Sequence, residues 1–88
     1  MKRARVLVSG RVQGVGFRVA TAQRANARGL AGHVRNRDDG TVEAVFEGEP
    51  DAVDTLVAWC SRGPGGARVD NVTVELETPT GAAGFLAS

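Results

Sequence analysis

Apolar positions along the chain fall into short alternating runs and two helical stripes, and their order suggests a fold. Arg5 to Val12 is rich in β-branched residues and reads as a first strand. Gln13-Gly14-Val15-Gly16 follows as a turn, with two glycines free to take positive φ. From Phe17 to about Arg28 the chain is alanine-rich, lacks Pro and Gly, and stops at Gly29, which predicts a helix. Its inward face carries Phe17, Thr21, Ala25 and Ala22, small side chains that imply close approach to a sheet. Gly32 to Arg37 reads as a second strand, Asp38-Asp39-Gly40 as a hairpin turn, and Thr41 to Gly48 as a third strand. Pro50 opens a second helix, with Val53, Leu56, Val57 and Cys60 as its stripe and Trp59 off it, over a helix edge. Arg62-Gly63-Pro64-Gly65-Gly66 ends that helix. Val69 to Glu77 is a fourth strand, with Val72, Val74 and Leu76 on one face, and Gly84 to Ala87 adds a short edge strand.

The order β-α-β-β-α-β is that of an α+β, ferredoxin-like sandwich: two helices packed on one face of an antiparallel sheet. Residues 1–88 make a single domain, because a chain of this length buries only about 60–65% of its unfolded surface and has no room for a second core. The same architecture serves enzymes, RNA-binding modules and metal chaperones, so it leaves function open.

Composition narrows the field. Hydrophobic residues at 42% and charged residues at 24% are those of an ordinary globular protein. No stretch approaches the ~18 apolar residues of a membrane span. The opening Met1-Lys2-Arg3-Ala4-Arg5-Val6-Leu7-Val8 has too short an apolar run for an export signal. Cys60, alone, forms no internal disulfide and suits a reducing, cytoplasmic location. One His and one Cys leave almost no soft ligands, so no metal is expected. Residues 1–37 hold nine Lys or Arg and no acid, and residues 38–88 hold two Arg and ten acids, so +9 and −8 give the net +1. Two readings follow: an anionic partner for the basic half, or strands that interleave and neutralise one another, the reading preferred here.

Candidate chemistry sits in Gln13-Gly14-Val15-Gly16-Phe17-Arg18, between a strand end and a helix start. A helix N-terminus offers unpaired N–H donors, and a glycine turn before it can aim more of them into one concavity. Arg18, in the first helical turn, adds a guanidinium fork suited to two phosphate oxygens. The loop lacks the Gly-Lys-Ser/Thr ending of a nucleoside-triphosphate loop, and no Gly-x-Gly-x-x-Gly with a distant acid occurs. On pattern alone, a plain strand-to-helix connection with a solvated arginine remains open beside the phosphate cradle.

Two longer stretches decide between them. Gly10-Arg11-Val12-Gln13-Gly14-Val15-Gly16-Phe17-Arg18 resembles the loop signature of the acylphosphatase family, Gly-x-Val-Gln-Gly-Val-x-Phe-Arg. Gly32-His33-Val34-Arg35-Asn36-Arg37-Asp38-Asp39-Gly40-Thr41-Val42-Glu43 is similar to its second signature, Gly-x-Val-x-Asn-x-x-(Asp)-Gly-x-Val-Glu. The two stand at the family's usual separation, and the likeness runs over nearly the whole chain. The resemblance implies an enzyme that cleaves the carboxyl-phosphate bond of acyl phosphates to carboxylate and inorganic phosphate. It implies phosphate binding by Gln13, Gly14, Val15, Gly16, Phe17 and Arg18, with Arg18 and Asn36 catalytic and Asn36 orienting the attacking water. It implies no cofactor and no metal, and a monomer without nucleic-acid or membrane partners.

Some residues depart from that family or invite other readings. His33 stands where an aromatic is common and is read as a packing or edge residue rather than an acid–base catalyst. Arg28 replaces a usually aliphatic helix-end residue, and the ending Phe85-Leu86-Ala87-Ser88 lacks the usual aromatic and basic strand. Gly16 occupies the variable position of the signature and ranks below Gly14. Cys60 reads as a core residue rather than a nucleophile, and Asp38 and Asp39 as turn formers rather than metal ligands. An RNA-binding module would carry an aromatic strand motif that this sequence lacks. A carbamoyl-phosphate-handling module of a larger maturation enzyme is a further alternative, weakened by the absence of a zinc-finger region in these residues.

Overall fold

A computed structural model describes residues 1–88. Its elements are β1 (Lys2–Arg11), α1 (Phe17–Ala27), β2 (Ala31–Asn36), β3 (Val42–Gly48), α2 (Pro50–Cys60), β4 (Arg68–Glu77) and β5 (Phe85–Ala87). They form one sheet in the order β4-β1-β3-β2-β5, with both helices on one face. Four strands are antiparallel as expected. β5 is the exception and lies parallel to β2, so the sheet is mixed at that edge.

Alternation sorts the sheet's two faces. Ala4, Val6 and Val8 of β1 and Val42, Ala44 and Phe46 of β3 are fully buried beneath the helices. α1 packs on β2 and β5, α2 on β1 and β3. Phe17, Thr21 and Ala25 form the buried face of α1, and the Thr21 hydroxyl donates to the Phe17 carbonyl at 2.7 Å. On α2 the stripe includes Trp59 rather than Val57, which is only half-buried. Trp59 turns inward because the Phe17 ring lies 5.4 Å away and the Arg24 guanidinium covers its face at 4.8 Å. Cys60 is free and wholly buried, and burial pushes its thiol up to about 12. The apolar face of β4 stays largely uncovered, with Val74 and Leu76 exposed, since neither helix extends over this edge strand.

The opposite sheet face carries the charges. Register sets Arg3 between Glu47 and Glu77, and its guanidinium reaches both, at 3.0 and 2.9 Å. Glu43 accepts from Arg5 Nη2 at 2.6 Å and from Arg35 Nε at 2.7 Å. Glu47 also accepts the main-chain N–H groups of Thr80, Gly81 and Ala82 at 2.8–3.1 Å. It thereby anchors the segment that carries the chain from β4 at one edge to β5 at the other. The basic first half and the acidic second half thus interleave across neighbouring strands. His33 belongs to this face, half exposed, with Nε2 3.7 Å from Glu43.

These pairs predict an acid limit to stability. Burial pushes the Glu43 carboxyl up, but hydrogen bonds from Arg35 and Arg5 outweigh it and bring its pKa from 4.5 to about 2. The Thr80 amide, against the cost of burial and with Arg3 and Gly81, lowers Glu47 to about 2 as well. Both pKa values are depressed on folding, so the unfolded chain takes up protons first as pH falls. Their stabilisation is complete above pH 4.5 and is lost between 4.5 and about 2. The urea midpoint should therefore fall steadily over that window, and an unchanged midpoint at pH 3 would contradict the ion-pair assignment.

Candidate active site

The loop from β1 to α1 is shaped by two glycines. Gly14 has φ 74° and Gly16 has φ 81°, while Val15 between them keeps the negative φ of an ordinary residue. Such alternation turns successive N–H groups toward one side of the chain, the arrangement called a nest. The main-chain amides from Gln13 through Val19 find no acceptor within the protein. Helix hydrogen bonding begins only at Ala20, whose N–H donates to the Gly16 carbonyl at 3.0 Å. A run of unpaired donors at a helix start is an anion site by its chemistry.

Side chains from three places meet there. Gly14, Gly16, Phe17, Arg18 and Asn36 surround one small concavity of about 80 Å³, together with Val12 and Val19. Asn36 is the last residue of β2 and is half-buried, with no hydrogen bond to its side-chain amide. Arg18 is exposed, and its Nη1 donates to the main-chain oxygen of Ser88 at 2.5 Å. Ser88 follows β5 directly and is held on β2, since its own N–H donates to the Val34 carbonyl at 3.0 Å. Tethering through Nη1 leaves Nε and Nη2 without protein partners.

Gln13 and Val15 contribute differently. The Gln13 amide donates to the carbonyls of Arg37 and Thr41, at 2.8 and 3.0 Å. It ties the glycine loop to the β2–β3 hairpin, immediately beyond Asn36, and its side chain lies outside the concavity. Val15 packs against the core, so only its main chain is available. Below the loop, Phe17 rests on Gly63, where an added Cβ would stand 2.7 Å from the ring. Sequence reasoning missed Val12 and Val19. Val19 is 60% exposed, and an outward apolar residue beside Arg18 was the available signal.

The lining holds no carboxylate, imidazole or thiol. Asp38 and Asp39 lie in the hairpin, where Asp39 accepts from the Thr41 N–H and hydroxyl as a turn former does. No group of three or more His, Cys, Asp or Glu residues is placed to hold a metal ion. No helix is long and apolar enough to cross a membrane.

The sequence model of the family described as acylphosphatase matches residues 4–86. An acylphosphatase of Rubrobacter xylanophilus is 61% identical over 82 residues, covering 93% of this chain and 74% of that protein. One from Nostoc sp. is 57% identical over 83 residues, covering 94% and 82%. The crystal structure of acylphosphatase from Bacillus subtilis superposes with a TM-score of 0.95 at 38% identity, over 100% of this chain and 99% of that one. Matched by the family's model over residues 4–86 and by these relatives along its length, the chain belongs to the acylphosphatase family, enzymes that hydrolyse acyl phosphates.

Proposed function

We propose that the glycine loop and Arg18 hold the phosphoryl group of an acyl phosphate while Asn36 presents the attacking water in line. The observation that carries this reading is that Gly14 and Gly16, in a loop whose amides have no acceptor in the protein, line one concavity with Arg18 and Asn36.

The chemistry demands little more. The leaving group is a carboxylate whose conjugate acid has a pKa of about 4, so it departs without a general acid. Charge in the transition state spreads over the equatorial phosphoryl oxygens. Fixed N–H donors and one guanidinium stabilise it without reorganising. Asn36 supplies both a carbonyl acceptor and an N–H₂ donor, enough to orient a water that needs no titrating base. No nucleophilic side chain lines the concavity, so the phosphoryl group passes directly to water.

Substrate recognition centres on the phosphoryl group, with inorganic phosphate as a product that occupies the same donors. A base-stacking, nucleic-acid role lacks support: Phe17, Phe46, Trp59 and Phe85 are all buried, none presented on an open sheet face. The test is hydrolysis of benzoyl phosphate by chain dialysed against EDTA. Turnover should persist undiminished in the chelator. Loss of activity that a divalent cation restores would overturn the metal-free mechanism, and absence of hydrolysis in any buffer would overturn the function.

A further inference from the structure

The largest cavity of the molecule lies away from the glycine loop. It is a groove of about 610 Å³ between the two helices, and Arg24, Arg28 and Arg62 line it with Thr55, Trp59 and Ser61. No residue is shared with the phosphoryl concavity. At 1.5 Å per residue, Arg24 and Arg28 stand about 9 and 15 Å along α1 from Arg18.

These three arginines are unlike most others in the chain. Arg3, Arg5, Arg35, Arg37 and Arg68 each pair with a carboxylate. Arg24, Arg28 and Arg62 neither pair with an acid nor donate a side-chain hydrogen bond, and no Asp or Glu lines the groove. Arg28 and Arg62 stand at helix ends, yet neither guanidinium donates to a terminal carbonyl. Three exposed cations thus line one groove with no counter-charge among its lining residues, and an anion seated there meets positive charge only. Arg24 is already held over the Trp59 ring at 4.8 Å, which pre-orients its fork. The Thr55 and Ser61 hydroxyls donate to helix carbonyls at 2.9 and 2.7 Å, so the guanidiniums are the donors available to a ligand.

We propose that this inter-helix groove binds a small anion carrying two or more phosphoryl groups, held by Arg24, Arg28 and Arg62. Its volume falls within the 300–1,000 Å³ typical of ligand sites and exceeds what one phosphate fills. Several phosphoryl groups match several separate forks, each able to donate two parallel bonds. Polyphosphates and nucleoside polyphosphates share this chemistry.

The test is calorimetric titration of the full chain with inorganic tripolyphosphate, in saturating inorganic phosphate so that the glycine loop stays occupied. Trp59, the single tryptophan, gives an independent fluorescence readout from the groove wall. Saturable binding of one tripolyphosphate per chain is expected, unchanged in Arg18→Ala. The Arg28→Gln/Arg62→Gln double variant should bind at least tenfold more weakly while hydrolysing benzoyl phosphate at the normal rate in the absence of tripolyphosphate. If circular dichroism shows that double variant unfolded, Arg28→Gln alone, at an exposed helix end, reads the same loss. ATP serves as the second arm. Equal affinity assigns recognition to the phosphoryl groups alone, and tenfold tighter binding adds a base against the groove wall. No saturable binding, an unweakened folded variant, or any dependence on Arg18 would overturn the proposal.

Discussion

Arg18→Ala is expected to lower kcat/KM for benzoyl phosphate by about 10³-fold or more, the scale of a phosphoryl-binding arginine. That factor corresponds to about 4 kcal/mol of transition-state stabilisation. Arg18 is the sole cation lining the concavity, so no neighbour replaces its charge. Inorganic phosphate should inhibit the variant far less, because ground state and transition state share the guanidinium. Arg18→Lys should recover only part of the rate, since an ammonium offers a point charge and not a planar fork. Folding should be unaffected: the side chain is exposed and its one bond is to Ser88. A folded Arg18→Ala variant with turnover within tenfold of normal would remove the phosphoryl site from this loop.

Asn36→Ala should separate binding from chemistry. The amide is assigned to the attacking water and not to the phosphoryl oxygens, so the loss should appear in kcat, by about 10²-fold, with KM little changed. Inhibition by inorganic phosphate should persist at its normal concentration. Residue 36 ends a strand paired with Val42, and its side chain makes no internal bond, so removal of the amide leaves the sheet intact. If phosphate inhibition disappeared together with the rate, Asn36 would be a phosphoryl ligand and the water would need another holder.

What could be read without coordinates depended on range. The helices and inner strands follow from local periodicity, and Gly14 and Gly16 announce a turn through residue type alone. Joining that turn to Asn36, some 20 residues on, needed the family's two signatures: the Asp38-Asp39-Gly40 hairpin pairs β2 with β3 locally, but no local rule pairs β1 with β3. Glu43 and Glu47 were invisible as buried residues. Their burial comes from arginine stems on neighbouring strands and, for Glu47, from the amides of residues 80–82. Gln13 reads as a main-chain contributor to the phosphate loop, and the role of its side chain could not be read, because the carbonyls of Arg37 and Thr41 to which it donates are distant in sequence. Val74 and Leu76 repeat with strand period as if buried, and only the sheet order shows them on an edge that no helix covers.

Cys60 has one practical consequence. Alkylating reagents attack the thiolate, and this sulfur is both sealed from solvent and held protonated to about pH 12. Modification therefore waits for α2 to lift away from β1 and β3. With one thiol per molecule, the labelling rate becomes a clock for that opening, readable by mass without any engineered probe.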